Sequence, residues 1–265
     1  MPLVTRNQKL YFAAVGILSL WVGIWGYFIP TQVDNAIPWL VPPLHARFLG
    51  SMYLSGATFM LGGILAHSYE EVRVMVPTIA IWTGTLFIIS LFYLDQFDFS
   101  FNTVWIWFGA YLIYPLISLW LTWQHRHLPV QAKGARMPKW AKRYLLGQGT
   151  AVLLLSLLLL LATPFMVSHW PWSITPLLAQ IYAAPFLAYG VNNLMTSRQK
   201  TWREAEVIIS GTFVFACGVW LASIMHRQLF DVGRLATWLW FGGFTIATLT
   251  LGWLTIQAQK ENLRK

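Results

Sequence analysis

The sequence predicts an all-α integral membrane protein with eight transmembrane helices, arranged as two four-helix repeats of parallel topology with both termini cytoplasmic. Three observations lead to this fold class: long charge-free apolar stretches, basic residues concentrated on one predicted side, and a second half that repeats the first. Apolar residues make up 57% of the 265 residues, charged residues only 10%, and the mean hydropathy is +0.56. No soluble core could hide so much apolar surface.

The apolar stretches are the predicted membrane spans. They cover residues 10–29, 48–67, 74–94, 103–123, 145–166, 175–195, 207–225 and 235–256. At about 1.5 Å per residue, each is long enough to cross the roughly 30 Å of hydrocarbon in a bilayer. The first stretch carries Trp21 and Trp25 where a signal peptide has small cleavage-site residues, so we expect it to remain as a membrane anchor.

The basic residues predict the orientation. With eight spans, every Lys and Arg except Arg47, Arg227 and Arg234 falls on the side that holds the two termini. This is the positive-inside pattern, so that side is predicted to be cytoplasmic. Topology and contacts with anionic headgroups then account for the net charge of +9, and the expected partners are membrane lipids, not nucleic acid.

The two halves align without a gap at a shift of 133 residues, which carries Trp105 onto Trp238. Further identities in this register are Trp107/Trp240, Phe108/Phe241, Gly109/Gly242, Trp120/Trp253, Pro43/Pro176 and Asp98/Asp231. The predicted domains are a first repeat at 1–125, a basic cytoplasmic linker at 126–142 and a second repeat at 143–265. Because four spans is an even number, the two repeats should be related by a pseudo-two-fold axis along the membrane normal.

Local patterns fit the repeats. Ser68-x-x-Glu71 and Thr201-x-x-Glu204 are predicted capping boxes just before the third and seventh spans. Small residues spaced four apart, Ser51/Ser55 and Ala184/Ala188, predict that the second and sixth spans pack centrally. The Pro-Trp stretches at 37–43 and 170–176 are expected in the outer interface.

Candidate binding residues lie at the predicted outer side. Asp98 and Asp231 occupy matching positions before the fourth and eighth spans, where an aspartate can cap a helix. The alternative is a polar site in the first half alone, with Asp98 paired to Arg47 near His45, because Gln180 replaces Arg47 in the second half.

Asn192 and Asn193 lie inside the sixth span, and the alignment of the repeats matches them with Phe59 and Met60 of the first repeat. An interhelical hydrogen bond is the expected role of these amides, and a ligand contact is the alternative.

Several site classes find no support in the residue pattern. The middle third of every predicted span lacks Asp, Glu, Lys and Arg, which disfavours an ion-coupled transporter. Histidines stand at span ends or in loops, which disfavours a membrane haem; His45, His169 and His226 share the outer side but have no metal-ligand spacing. Cys217 is the single cysteine, so there is no disulfide framework. We therefore predict neither catalytic nor metal-ligating residues, and the cofactor is unknown.

The four-helix unit has a Pro-bearing loop, and the stretch from Arg47 to Arg73 that follows it combines an Arg-opened helix of small residues with a short acidic turn. This pattern resembles the DoxX-like bacterial membrane proteins, and the chain departs from it by tandem duplication and by Gln180 in place of a second Arg. The resemblance implies a multi-pass protein of the bacterial inner membrane and transfers no catalytic residue.

The sequence therefore favours a non-enzymatic membrane protein. Its halves are predicted to enclose a lipid-like or small neutral molecule, since an aromatic, uncharged interior suits apolar partners, or it serves as a subunit of a membrane complex. The alternatives are a membrane enzyme that acts on a lipid headgroup with Asp98, Arg47 and His45, and a passive transporter of a neutral solute.

Overall fold

The computed structural model describes residues 3–35, 41–128 and 134–263, and these residues contain helices but no β-strand. The α-helices are α1 (Arg6–Phe28), α2 (Pro43–Leu65), α3 (Met75–Phe92), α4 (Asn102–Gln124), α5 (Lys139–Leu161), α6 (Thr163–His169), α7 (Pro176–Ser197), α8 (Trp202–Met225) and α9 (Leu235–Leu263). Short 3₁₀ turns occupy Pro30–Asn35, Tyr69–Glu71, Leu94–Gln96 and Arg227–Leu229.

Seven of the described helices are long and apolar enough to cross a membrane, namely α1, α2, α3, α4, α5, α8 and α9. The prediction of a multi-pass, all-helical membrane protein is thereby confirmed. The helix α7 has 22 residues but falls short in apolarity, since it carries buried polar side chains such as Tyr182, Asn192 and Asn193. Its burial within the protein explains how it tolerates them, because those groups find partners on neighbouring helices.

The fifth predicted span, 145–166, is interrupted in the structure. The helix α5 begins earlier, at Lys139 inside the predicted linker, and ends at Leu161. The short α6 then starts at Thr163 with Pro164 in its first turn. Proline lacks the N–H that would continue the α5 ladder, so the chain changes direction there and leads into the buried loop before α7.

The helices α2 and α7 form the centre of the bundle, as predicted from their small residues. The helix α1 packs along α2 and α5 along α7, while α4 packs on α3 and α9 on α8. The helices of the first half, α1–α4, contact those of the second half, α5–α9, through two corresponding pairs: α2 packs on α8, and α7 packs on α3. Every pairing within residues 6–124 thus has a counterpart within residues 139–263.

Small residues allow these central helices to approach closely. A side chain added at Gly50 of α2 would place its Cβ 2.4 Å from the backbone nitrogen of Tyr27, so only glycine fits against α1. The hydroxyl of Ser55 donates a 2.6 Å hydrogen bond to the carbonyl of Gly211 on α8. Close backbone contact of this kind stabilises helix pairs in lipid, where burial of apolar side chains offers little driving force.

One end of the bundle, called here the terminal face, holds Leu3, Ser68, Arg136 and Thr201. Isolated antiparallel bridges join Leu3 to Ser68 and Arg136 to Thr201. The predicted capping boxes are confirmed, although the Ser68 box caps the 3₁₀ turn Tyr69–Glu71 and α3 begins only at Met75.

The carboxylate of Glu71 has a second partner at this face. Arg203 of α8 donates to Glu71 Oε1 at 2.6 and 3.0 Å, which ties residues of the two halves together.

Indole hydrogen bonds recur at matching positions in the two halves. Trp107 Nε1 donates to Ser90 Oγ at 2.9 Å, and Trp240 Nε1 donates to Ser223 Oγ at 2.9 Å. The indole of Trp105 likewise donates to the carbonyl of Phe99, and that of Trp238 to the carbonyl of Val232. Each member of a pair lies 133 residues from its counterpart, from 107 to 240 and from 105 to 238.

Candidate functional site

The other end of the bundle, called here the opposite face, contains a cavity of about 840 Å³. We name it the opposite-face pocket. Its walls come from the starts of α2 and α7, the ends of α3 and α8, and the loop before α7. The lining residues are Pro42, Pro43, Leu44, His45, Tyr93, Gln96, Trp172, Ser173, Ile174, Thr175, Pro176, Leu177, Leu178, His226 and Leu229.

Most of this lining consists of residues at corresponding positions of the two halves. The pairs are Pro42/Thr175, Pro43/Pro176, Leu44/Leu177, His45/Leu178, Tyr93/His226 and Gln96/Leu229. Some of these pairs differ in chemistry, however. His45 corresponds to Leu178, and His226 corresponds to Tyr93. The pocket is therefore lined by corresponding positions of the two halves that carry different polar groups.

His45 was predicted as a candidate site residue at an interface, and the structure corrects its surroundings. Its side chain is buried, with 6% of its surface exposed. Nδ1 of His45 lies 2.5 Å from the hydroxyl of Tyr182 on α7, and a backbone hydrogen bond at Ser173 also engages the ring. These partners fix the orientation of the imidazole at the wall of the pocket.

Arg47 donates a 2.6 Å hydrogen bond from Nη1 to Nε2 of His226. A guanidinium can only donate, so Nε2 is the acceptor and the ring proton of neutral His226 resides on Nδ1. Burial, and then the positive charge of Arg47, lower the pKa of His226 below its ordinary value. His226 is consequently neutral at neutral pH. Its ring lines the pocket and retains Nδ1–H as a hydrogen-bond donor.

Aromatic rings form the back of the pocket. The indole of Trp172 packs 4.8 Å from Trp240 and 5.0 Å from Phe230, measured between ring centroids. Trp170 and Trp172 are only 2% and 5% exposed. Within the stretch 170–176, which is predicted to lie in the outer interface, these two tryptophans pack inward on Trp240 of α9. Residues 36–40 of the matching stretch lie outside the described residues.

The proposed pairing of Arg47 with Asp98 is also wrong. Asp98 is exposed, and its Oδ1 accepts the N–H of Ser100 at 2.9 Å. Hydrogen bonds from Ser100 lower the pKa of Asp98. The arginine instead donates to His226, so the predicted Arg47–Asp98 pair is absent from the described residues.

The two matching aspartates do not cap their helices either. The N-cap of α4 is Phe101, three residues after Asp98. Asp231 accepts the N–H of Gly233 at 2.9 Å and pairs with Arg234 at 3.2 Å, in an exposed turn before α9. Both aspartates stabilise the turn ahead of the helix, which is a local structural role.

The other predicted site residues lie away from the opposite-face pocket. Gln180 donates to Thr163 Oγ1 at 3.1 Å and so ties α7 to α6. Asn192 accepts a 2.6 Å hydrogen bond from Thr78 of α3, and Asn193 donates to Gln148 of α5 at 3.4 Å. The expectation of interhelical hydrogen bonds is confirmed for these two amides.

The sequence interpretation missed Tyr182 and Trp172 as parts of the site, and it left His226 out of the binding set. A signal for His226 existed in the sequence. The shift of 133 residues aligns it with Tyr93, and the two residues follow the corresponding helices α8 and α3. Tyr182 carries no comparable signal because its match is Leu49. Among the described residues no cluster of three or more His, Cys, Asp or Glu side chains could hold a metal ion, so His45, His169 and His226 do not form a metal site.

Comparison of the chain with protein-family models, curated proteins and solved structures gives no match. The resemblance to DoxX-like proteins thus stays a prediction from the residue pattern, and the functional argument depends on the geometry of the site alone.

Proposed function

We propose that the protein is a duplicated four-helix membrane protein that binds a small, largely apolar molecule in the opposite-face pocket. In this proposal α7 is the sixth of eight spans and is shielded from lipid by α3 and α5, and the terminal face is cytoplasmic. The reciprocal helix contacts and the matching indole hydrogen bonds support a duplication. The basic residues near the terminal face support the orientation.

The pocket lies where a pseudo-two-fold axis between the halves would pass. Its lining pairs residues such as Leu44 with Leu177, and Pro43 with Pro176. A site on such an axis belongs equally to both halves, and duplication followed by divergence would make its polar groups unequal. The replacement of Leu178 by His45 and of Tyr93 by His226 at matching positions fits that history.

The chemistry of the lining favours a particular class of ligand. A volume of about 840 Å³ is within the range of small-molecule sites, which run from roughly 300 to 1,000 Å³. Prolines, leucines and Trp172 supply apolar surface, while the imidazoles of His45 and His226 supply a few oriented hydrogen-bonding atoms. A lipid-like or small neutral molecule with one polar end matches this arrangement.

The single observation that carries the proposal is this pocket, which is formed jointly by both halves and walled by two imidazoles held in fixed orientations. The test uses the full-length protein reconstituted into nanodiscs with a polar lipid extract of the expression host. Native mass spectrometry then measures the fraction of protein that retains a bound molecule. Wild-type protein should retain a stoichiometric adduct after the bulk lipid is stripped.

Two substitutions copy the other half of the chain into the pocket. His45→Leu copies Leu178, and His226→Tyr copies Tyr93. Loss of one hydrogen bond to the ligand should lower retention by roughly two- to tenfold in each case. His127→Leu at an exposed position near the terminal face is the matched control and should retain the wild-type level. Equal retention in all four proteins would refute the proposed site.

A further inference from the structure

A second cavity lies inside the bundle, between α1, α2, α3, α4 and α7, and its volume is about 50 Å³. We name it the inner cavity. It shares no lining residue with the opposite-face pocket. Its walls are the side chains of Val15, Leu18, Ser19, Tyr53, Gly56, Phe59, Met60, Met75, Thr78, Ile79, Trp82, Thr83, Ala110, Tyr111, Tyr114, Ala188, Tyr189 and Asn192.

The polar groups around the inner cavity are largely paired with one another. The hydroxyls of Tyr53 and Tyr111 share a short hydrogen bond. Thr78 donates to Asn192 Oδ1 at 2.6 Å, and Thr83 donates to the carbonyl of Ile79 at 2.6 Å. The buried hydroxyl of Tyr189 is the exception, because it has no hydrogen-bond partner among the described residues. The rest of the lining is mainly aromatic rings and aliphatic side chains. Such a cavity favours an apolar occupant over water, which needs several polar partners.

A groove of about 500 Å³ runs between α1 and α4 on the outside of the bundle. Its lining is Ala14, Ile17, Leu18, Trp21, Ile106, Gly109, Ala110, Ile113 and Tyr114. Leu18, Ala110 and Tyr114 also line the inner cavity, so the groove and the cavity adjoin at these three residues. Ala110 has the smallest side chain of the three, so a larger residue there would fill the space between the groove and the cavity.

The depth of the groove identifies its surroundings. Ile17 and Ile113 lie at the middle of the 23-residue helices α1 and α4, which are membrane-length spans. The medium at that depth is the hydrocarbon core of the bilayer. Ile17 is 72% and Ile113 52% exposed in the protein, as expected for side chains that contact lipid.

We propose that the groove between α1 and α4 admits an acyl chain of a membrane lipid, whose terminal carbons enter the inner cavity. An enclosed cavity of about 50 Å³ is a third of the roughly 150 Å³ that accommodates a benzene ring. A ring is therefore too large, whereas the end of a linear chain fits. The partner is a diacyl lipid of the surrounding bilayer, and the site is separate from the opposite-face pocket.

Photo-crosslinking tests this proposal directly. The probe is phosphatidylcholine with a diazirine at the end of one acyl chain, mixed into phosphatidylcholine vesicles that hold the full-length protein. Met60 and Met75 are 2% and 1% exposed and line the inner cavity, so only a chain inside it can label them. Labelled peptides that contain these methionines are the expected result; labels confined to surface residues such as Ile17 and Ile113 would overturn the proposal.

Ala110→Phe should close the junction and abolish the label at Met60 and Met75, while the label at Ile17 persists. Gly243→Phe is the matched control, since residue 243 corresponds to 110 in the repeat register and a Cβ there meets nothing within 4 Å. Ala110→Leu gives a second, milder closure, and a thermal melt of each variant establishes that it is folded. Undiminished inner labelling in the folded Ala110 variants would also refute the proposal, without bearing on the opposite-face pocket.

Discussion

Arg47 at the start of α2 and His226 at the end of α8 are joined by a 2.6 Å hydrogen bond in which the guanidinium donates to Nε2. The two residues are 179 positions apart in the chain. The bond ties the two halves together beside the opposite-face pocket. It also requires a neutral imidazole, because a protonated Nε2 could not accept and would face the positive charge of Arg47.

Acidification should therefore weaken the fold at this position. Burial and Arg47 lower the pKa of His226 in the folded protein, so below the ordinary histidine pKa of about 6.5 the unfolded chain binds a proton that the folded chain does not. Stability from this group is complete above that pH and declines as the pH falls towards the lowered value. Thermal melts between pH 7.5 and 5 should show a smaller loss in His226→Tyr than in wild type. Parallel pH profiles would contradict this assignment.

Arg47→Gln, which copies the second half, should destabilise the protein by about 1 kcal/mol through the lost hydrogen bond to His226. Asp98→Asn should leave the unfolding free energy nearly unchanged, because Asp98 is exposed and Asn makes the same turn contact. Denaturation of both variants in one detergent gives the comparison. A large effect of Asp98→Asn, equal to that of Arg47→Gln, would indicate that Asp98 pairs with Arg47 and would contradict the described contacts.

The close contact of α1 with α2 gives a packing prediction. Gly50→Ala places a methyl group 2.4 Å from the backbone nitrogen of Tyr27, and overpacking of this kind costs about 1–3 kcal/mol. Gly242→Ala is the control, since a Cβ there has no neighbour within 4 Å, and it should be neutral or slightly stabilising. Unfolding measurements that place the two variants at equal stability would contradict the described contact.

Orientation can be measured with cysteine labelling, since Cys217 is the single native cysteine. In a Cys217→Ala background, Ala135→Cys near the terminal face should react with a membrane-impermeant maleimide only after the cells are opened. Ser168→Cys near the opposite face should react in intact cells. The reverse labelling pattern would show that the basic residues do not set the orientation as proposed.

Much of the fold could be predicted from hydropathy and small-residue spacing. The charge-free apolar stretches predicted where the long helices lie. The spacing of Ser51 and Ser55 correctly predicted the central position of α2. The break at Pro164 was missed because the apolar stretch continues through it, and apolarity alone does not report a proline turn. The aspartates Asp98 and Asp231 satisfied the pattern of a helix cap but lie three or more residues too early to cap.

The site could be predicted only in part. His45 and Arg47 stood out as polar residues at the start of an apolar helix. Their partners could not be read from the chain, because Tyr182 lies 137 positions from His45 and the packing of α2 on α8 is a tertiary property. A short-range pattern carries no information on such contacts, and so Asp98, a match in the repeat, was the wrong partner for Arg47.

The central claim is that the two halves jointly hold a small, largely apolar molecule in the opposite-face pocket. The most direct test is a cryo-electron microscopy structure of the full-length protein in lipid nanodiscs. The account predicts non-protein density within the pocket, with its polar end within hydrogen-bond distance of His45 or His226. A well-resolved pocket that contains only water, or a pocket closed by contact between the starts of α2 and α7, would contradict it.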